Sequence, residues 1–402
     1  WSFLEIETFE TYDDKLQAYS AGFGEGFVTK KLIEWHWNNL ISGRFECKNQ
    51  ISDFCQNLYR TMLGDFTDLS ILLNLPVNVT KALFDGEHCS GLIVPLPGNK
   101  DILFGHVSWF PYETMLRVQK LYKFAYSRNG RKDSSRVAST GISMSSYPGF
   151  LWSYDDFYLL ESGLSVMETT IGGDGALWPY VMRNNTVPTW IRILVSNRLA
   201  TNGSGYNNQY MILDYKKFSP GKPLPDTGLL HLVEQVPYFD NVYNYTASWL
   251  RYRQYGDWFS YEKCPRARIF QRDTKNVTDF ESMVYLMRSN NYMSDPLSLC
   301  ENCIPKHNAM NAVSARGDLN LKNGTYPFWQ LQHSLFGGTD LKVTNYSMFQ
   351  KLRFYAISGP VYNAEIPSFQ WSKYDKTHLR HEGHPDVFKF KSVINKWNFF
   401  VA

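Results

Sequence analysis

The sequence predicts an α+β fold, and three observations carry that prediction. Apolar residues recur at helical spacing before Cys89. From Cys89 onward they gather in short runs separated by turn residues. Beyond those runs, one clear amphipathic helix stands among Pro- and aromatic-rich stretches. Helices, then a block of hairpin-linked strands, then mixed elements do not make the regular alternation of a parallel α/β sheet.

The elements follow in order. In residues 1 to about 45, Leu16, Tyr19, Ala21 and Phe23 lead to Gly24 and Gly26, and Val28, Leu32, Ile33 and Trp35 continue at helical intervals. Residues 50–75 read as a second helix with Ile51, Phe54, Leu58, Met62 and Leu63 on one face. Cys89-Ser90-Gly91-Leu92-Ile93-Val94 is an apolar strand-like run, Pro97-Gly98-Asn99-Lys100 is a turn, and Ile102 to Phe104 returns toward His106 and Trp109. Phe157-Tyr158-Leu159-Leu160, the turn Glu161-Ser162-Gly163 and the run Leu164 to Ile171 make a second hairpin. Residues 189–201 suit a helix that stops before Asn202-Gly203-Ser204-Gly205. Tyr206 to Phe218 alternates through Met211, Leu213 and Tyr215 as a strand, and Leu229 to Val236 is another. The chain then changes character abruptly at Val236-Pro237-Tyr238, as though residues were missing there. Phe280, Met283, Val284 and Met287 mark a helix over 280–289, and from Ser358 the chain reads mostly as loop.

Composition narrows the function classes. At 402 residues the chain holds about two to three domains or one large one. Forty-four per cent hydrophobic and 20% charged residues are enough for a large core. Aromatic residues reach 16%, which suits a β-rich core or amphipathic surfaces for sugar or lipid. A net charge of +3 speaks against a nucleic-acid partner, and Arg128, Arg131, Lys132 and Arg136 lie among Ser and Gly as a solvated loop. No run approaches the length of a membrane span, although contact with a lipid surface stays open. Trp1 rather than Met opens the sequence, which fits a removed leader. Seven N-x-[ST] sites, at Asn78, Asn184, Asn202, Asn244, Asn276, Asn323 and Asn345, together with pairable cysteines point to a secreted or lysosomal protein.

The familiar catalytic motifs are missing: there is no G-x-S-x-G, Walker A, H-E-x-x-H or G-x-G-x-x-G. His378, His381 and His384 have metal-like spacing, but Gly383 and Pro385 break any helix that would present them, and no metal or cofactor is expected. Cys47 and Cys55 bracket a short stretch able to close a loop. Cys300-Glu301-Asn302-Cys303 reads first as a structural disulfide, with a redox pair or half of a zinc site as alternatives.

Cys89 is the best-framed nucleophile. A lone cysteine beside Leu-Ile-Val is ordinarily a core thiol. Here it opens a hairpin whose return strand carries His106. A thiol with a pKa of about 8.5 is only slightly ionised at neutral pH, so something must take its proton. One solution is a distant histidine. Another is to cut the peptide bond before the cysteine, so that the new α-amine, with a pKa of about 7.7–8.0, serves as the base. Asp155 and Asp156 read as turn-capping residues, since paired carboxylates alone do not make an acid–base pair.

Several stretches together resemble the phospholipase B-like family. They include Glu87-His88-Cys89-Ser90-Gly91-Leu92-Ile93, His106-Val107-Ser108-Trp109, and Ser145-Ser146-Tyr147-Pro148-Gly149 with Asp155-Asp156-Phe157-Tyr158-Leu159-Leu160. Met167-Glu168-Thr169-Thr170, Tyr206-Asn207-Asn208-Gln209, Val233-Glu234-Gln235-Val236-Pro237, Pro265-Arg266-Ala267-Arg268-Ile269-Phe270 and Asp295-Pro296-Leu297-Ser298-Leu299-Cys300 follow in the family's order. The resemblance implies an N-terminal-nucleophile hydrolase with a four-layer αββα sandwich. It also implies self-cleavage before Cys89, with residues 1–88 staying associated with the 89–402 fragment, and a lysosomal or secreted location. Residue by residue, it casts Cys89 as nucleophile, His106 and Trp109 as a pocket pair, and Thr170 as a pocket threonine. One of Asn207 and Asn208 becomes an oxyanion donor. Arg266 and Arg268 fall in a matching stretch. The pairs Cys47–Cys55 and Cys300–Cys303 match the family's disulfides, leaving Cys264 as a free core thiol. The implied substrate is the fatty acyl ester of a phospholipid. An acyl amide, lipid binding without turnover, and thiol–disulfide chemistry at Cys300 and Cys303 are the rivals.

Overall fold

The computed structural model describes residues 1–40, 89–131, 134–169, 187–205, 210–233, 252–374 and 379–398. The expected helix over 50–75 lies outside them. The first described elements are β1 (Ser2–Glu7), α1 (Asp14–Leu40), β2 (Ser90–Pro95), β3 (Ile102–Val107), β4 (Trp109–Pro111), β5 (Val118–Lys123) and β6 (Gly141–Ser146). There follow β7 (Phe157–Leu160), β8 (Leu164–Met167), α2 (Thr189–Leu199), β9 (Tyr210–Asp214) and β10 (Leu230–Val233). The C-terminal half adds α3 (Pro265–Asp273), α4 (Phe280–Met287), β11 (Phe336–Gly338), β12 (Asp340–Thr344), the one-turn α5 (Tyr346–Phe349) and β13 (Tyr355–Ser358). Three two-residue strands close the chain: β14 (Phe369–Gln370), β15 (Val387–Phe388) and β16 (Val393–Ile394).

Two sheets dominate. One has seven strands in the order β1-β5-β6-β7-β8-β9-β10, antiparallel except where β1 lies parallel to β5. The other has five, β16-β13-β12-β3-β2, all antiparallel. Beyond it, β4 pairs with β11, after single-residue breaks at Ser108 and Thr339. The break residues face each other, and the Thr339 N–H donates to the Ser108 carbonyl at 2.8 Å.

Alternation along the strands explains the layering. Ile102 and Phe104 of β3 and Ala356 of β13 share one apolar cluster with Leu121, Phe157, Leu159, Met167 and Leu213 of the seven-stranded sheet, so this cluster lies between the sheets. On the outer face of the larger sheet, Val118, Ile142, Tyr158, Leu164 and Ile212 pack with Leu40 of α1 and Ile193 of α2. On the outer face of the smaller sheet, Leu103, Val107, Leu341 and Val343 pack with Ile269 of α3 and Met283, Leu286 and Met287 of α4. The fold is an α+β sandwich with helices outside both sheets. Gly105 marks the closest approach of α4: a Cβ there would stand 2.6 Å from the Met283 methyl.

The hairpins at Cys89 and at Phe157, α2, β9, β10 and α4 fall where the sequence places them. The N-terminal helix does not. Residues 2–7 form a strand, with Phe3 exposed and Leu4 buried, and the helix starts only at Asp14. The Asp13 carboxylate accepts the Leu16 N–H at 3.0 Å, a capping signal the apolar spacing concealed. The buried face of α1 is also not the expected one. Gln17, Ala21, Glu25, Thr29 and His36 are buried, while Tyr19, Phe23 and Phe27 are exposed and stacked at 6.3 and 6.4 Å. The reason is polar pairing: Glu25 accepts Lys120 Nζ of β5 at 2.6 Å and also the Tyr122 hydroxyl.

The candidate active site around Cys89

Cys89 directly precedes β2 and is 6% exposed. Its neighbours come from both sheets and from α3. Trp109, at the start of β4, lies beside it, and its backbone N–H draws the thiol pKa down. Arg266 Nη1, in the first turn of α3, donates to the Cys89 carbonyl at 2.5 Å, and its guanidinium lies 4.8 Å over the Trp109 ring. The Val313 carbonyl receives the Ser90 hydroxyl at 2.7 Å and the Trp109 indole N–H at 3.2 Å. The residue after the thiol and the tryptophan beneath it are therefore tied to one point.

Register places His106. It lies directly across from Gly91 on β2 and from Lys342 on β12, making a row over three adjacent strands. Glycine suits the first place in that row because the other sheet presses on it. A Cβ at Gly91 would stand 2.8 Å from the Met211 methyl, 3.2 Å from the Thr169 methyl and 3.3 Å from the Met167 sulfur. The His106 Nε2 sits 2.9 Å from the Glu168 carbonyl, which can only accept, so Nε2 carries the proton. Nδ1 then keeps a lone pair, and it has no partner among the described residues. Burial first, and the Lys342 charge next, hold the imidazole pKa well below its usual value, so this lone pair persists into acid.

Burial, then the nearby Glu168 charge, pushes the Cys89 thiol up; the Trp109 N–H and Lys342 pull against that shift. While its α-nitrogen is part of a peptide bond, the thiol stays protonated at neutral pH. Behind it lies a group of buried charges absent from the sequence-based expectations. Asp155 and Asp340 pair with Arg117 and Lys342, and all four side chains are shielded from solvent. Asp155 is therefore no turn cap. Asp156, at φ 48°, has its carboxyl pKa raised by burial and by Glu168 and Asp155. One member carried a signal in the sequence: Lys342 stands between Leu341 and Val343 in a run of strand length.

Of the expected site residues, the structure brings Cys89, His106, Trp109 and Arg266 together, while Arg268 is exposed. Thr170, Asn207 and Asn208 lie outside the described residues, although Thr169 and Met211 beside those gaps both pack on Gly91. Cys300 and Cys303 form a disulfide with Cα atoms 5.3 Å apart; Cys47 and Cys55 lie outside the described residues. Cys264 is unpaired, but it is half-buried at the start of α3 rather than a core thiol. Asn202, Asn276 and Asn323 are exposed, Asn345 is occupied as the cap of α5, and Asn78, Asn184 and Asn244 lie outside the described residues. His378 likewise lies outside them. His384 accepts the Trp371 indole N–H at 3.2 Å, and among the described residues no group of side chains is arranged to hold a metal. No described helix is long and apolar enough to cross a membrane.

Comparison with known proteins agrees with the motifs. The profile of the family described as Phospholipase B matches residues 1–62, 48–237 and 236–395. "Putative phospholipase B-like 2" of Mus musculus is 37% identical over 495 residues, covering 99% of this chain and 83% of the mouse protein. The Homo sapiens protein of the same name is also 37% identical, with 99% and 84% covered. "Phospholipase B-like 1" of Bos taurus is 36% identical over 496 residues, with 98% and 86% covered. An alignment of 495 positions exceeds this 402-residue chain by 93 (495 − 402), so at least that many aligned positions have no residue here. The profile matches in three segments that overlap at 48–62 and 236–237, and the second overlap falls at the abrupt junction Val236-Pro237-Tyr238. With the profile spanning nearly the whole sequence and relatives above one-third identity along it, the chain belongs to the phospholipase B-like family.

Proposed function

We propose that the chain is a lysosomal or secreted acyl hydrolase that removes fatty acyl chains from phospholipids through Cys89. In this reading its sandwich is the αββα fold of the N-terminal-nucleophile hydrolases, and the His88–Cys89 bond is cut before the enzyme is active. The observation that carries the proposal is the setting of Cys89: a buried thiol at the first position of a hairpin, with a lone-pair imidazole on the return strand. Burial raises the thiol, so the intact chain lacks a ready thiolate. Cleavage supplies the missing base as the new α-amine. The amine takes the thiol proton as sulfur attacks the acyl carbonyl. The Asn207 or Asn208 side chain and a backbone N–H hold the oxyanion. The amine returns its proton to the leaving alcohol, and water then hydrolyses the thioester and restores the thiol. The exposed sequons Asn202, Asn276 and Asn323 and the Cys300–Cys303 disulfide support the location.

The test joins maturation to turnover. N-terminal sequencing and mass should find a fragment that starts at Cys89 and carries 314 (402 − 88) of the residues in this sequence. The Cys89→Ala chain should stay whole and inert. Fatty-acid release from phosphatidylcholine and amine release from acyl amides are measured at acid and neutral pH. Asn207→Ala or Asn208→Ala, whichever holds the oxyanion, should lower turnover about 10²–10³-fold. Release from amides alone would move the substrate to acyl amides with the mechanism kept. Release from neither would leave a lipid-binding protein, and an uncut chain with full activity would end the N-terminal-nucleophile reading.

A further inference from the structure

Helix α1 turns its aromatic side chains outward. Tyr19, Phe23 and Phe27 are 72%, 66% and 76% exposed, and Leu16, Tyr12 and Phe9 continue the row, also exposed. A spacing of four residues keeps the three rings on one side of the helix, and the stretch from Leu16 to Phe27 is about 17 Å long at 1.5 Å per residue. The rings lie nearly parallel, at 19° for Tyr19 with Phe23 and 14° for Phe23 with Phe27, so they form a continuous ridge. Gly22, Gly24 and Gly26 are interleaved with them, and a Cβ on any of the three would meet nothing within 4 Å. Glycine weakens a helix interior, and no contact among the described residues calls for it here. What the glycines do is leave the rings standing clear. Rings held in water forgo the free energy of their burial, and a contiguous apolar face of this kind marks a contact surface.

The charges around the ridge identify what it meets. The carboxylates here are engaged. Glu10 pairs with Arg136, and Asp13 accepts the Leu16 N–H at 3.0 Å. Asp14 accepts the Ser127 hydroxyl at 2.6 Å, and Glu34 pairs with Lys31 at 3.0 Å. Lys15 and Lys30 of α1 are exposed, as are Arg128 and Arg131 in the loop that Ser127 ties to Asp14; none of the four has an ion-pair partner among the described residues. The uncompensated charge on this side is therefore cationic. We propose that α1 is an interfacial helix: its aromatic ridge docks into the surface of an anionic phospholipid membrane, with Lys15, Lys30, Arg128 and Arg131 on the headgroups. This rests on the functional reading and deepens it by naming the form in which phospholipid is met. A second copy is the poorer occupant. It would bring the same cations together, and stacked rings leave no holes for the side chains of a partner helix. Opposite the ridge, Glu25 on Lys120 at 2.6 Å and Asn39 Nδ2 on the Glu382 carbonyl at 2.9 Å keep the helix seated while its outer face is in lipid.

The experiment reads binding without turnover. The full chain is sedimented with vesicles of dialkyl-ether phosphatidylcholine, alone or mixed with dialkyl-ether phosphatidylglycerol, lipids that have no acyl ester to cut. Wild type should bind the mixed vesicles more tightly than the neutral ones, and added salt should narrow the difference. Phe23→Ser together with Phe27→Ser should lower partition to the mixed vesicles about tenfold or more, because two rings no longer leave water. Lys15→Gln together with Lys30→Gln should lower it about fivefold per charge, on the mixed vesicles only. All four side chains are exposed, so the melting temperature should hold or rise. A wild type that binds neither vesicle would overturn the proposal. So would a Phe23→Ser, Phe27→Ser protein that binds as wild type does, or a dimer of the chain that this double variant dissolves. If the double variant fails to fold, Tyr19→Ser decides alone, by lowered or unchanged binding. Acyl release from dissolved short-chain phosphatidylcholine by a protein that ignores vesicles would overturn this surface and keep the functional reading. Vesicle binding with no acyl release from any substrate would do the reverse.

Discussion

Two buried ionic groups draw cations from one stretch of chain, Lys120 on β5 and Arg117 just before it, and they do different things with similar parts. Under α1, Glu25 meets Lys120 and the Tyr122 hydroxyl, and Lys120 Nζ also donates to the Phe150 carbonyl at 2.5 Å. That group joins a helix to the outer face of the larger sheet. Between the sheets, Asp155, Asp340 and Lys342 hold Ser108, and Arg117 pairs with both carboxylates. Burial lowers the Lys120 pKa despite Glu25, whereas two carboxylates raise that of Arg117 against its burial. The first group has one anion for its cation and a neutral phenol; the second is balanced two against two. Burying charge in each case fixes an orientation more than it adds stability.

The largest expected effect separates them on stability. Lys120→Met leaves the Glu25 carboxylate unpaired in the core and should cost about 3–5 kcal/mol in denaturant unfolding. Alkylation of Cys89 in the folded protein should stay at the wild-type rate; a fall there would show that the change reaches the thiol. Next comes Gly91→Ala, which pushes a methyl against Met211, Thr169 and Met167. The methionine tips can yield, so the expected loss is about 1–2 kcal/mol, toward the low end for overpacking. Cutting before Cys89 should slow as well, because the strand next to the thiol must shift. A Gly91→Ala protein with unchanged stability would show that the sheets pack less closely here than the contacts imply.

The smallest effect is one of pH. The Asp156 carboxyl has its pKa raised in the fold, so the folded chain binds its proton when the unfolded chain has already lost it. Its contribution is full below the ordinary carboxylate value and fades as pH rises through the raised folded value. The buried His106 and His384 act oppositely. Their pKa values are lowered, to about 3 for His384, so they withdraw stability as pH falls through the ordinary histidine value. The Asp155 carboxyl is held far below its usual range by Arg117 and Lys342, against its burial, so its pairing survives at mildly acid pH. Asp156→Asn should therefore remove a gain in stability on going from neutral to mildly acid pH, measured as the difference from wild type at each pH. An identical pH dependence in the two proteins would mean that Asp156 ionises normally.

Much of the frame around Cys89 was legible because it is local. Turn residues at Pro97-Gly98-Asn99-Lys100 and Glu161-Ser162-Gly163 bound apolar runs of strand length, and they did become hairpins. The spacing of Phe280, Met283, Val284 and Met287 likewise gave a helix, because its apolar face is what packs on the smaller sheet. By itself the sequence determined the α+β class, the cysteine that opens a hairpin, the strand that returns past it and the family. It did not reveal β5 and β6, whose Gln119, Lys120, Ser143 and Ser145 break the apolar alternation yet are fully buried. Nor did it show which face of α1 turns inward, or that Arg117, Asp155, Asp340 and Lys342 meet. Those outcomes belonged to the tertiary structure alone. A polar side chain is buried only where a partner distant in the chain satisfies it, and that partner is chosen by how the sheets and helices pack rather than by any local pattern.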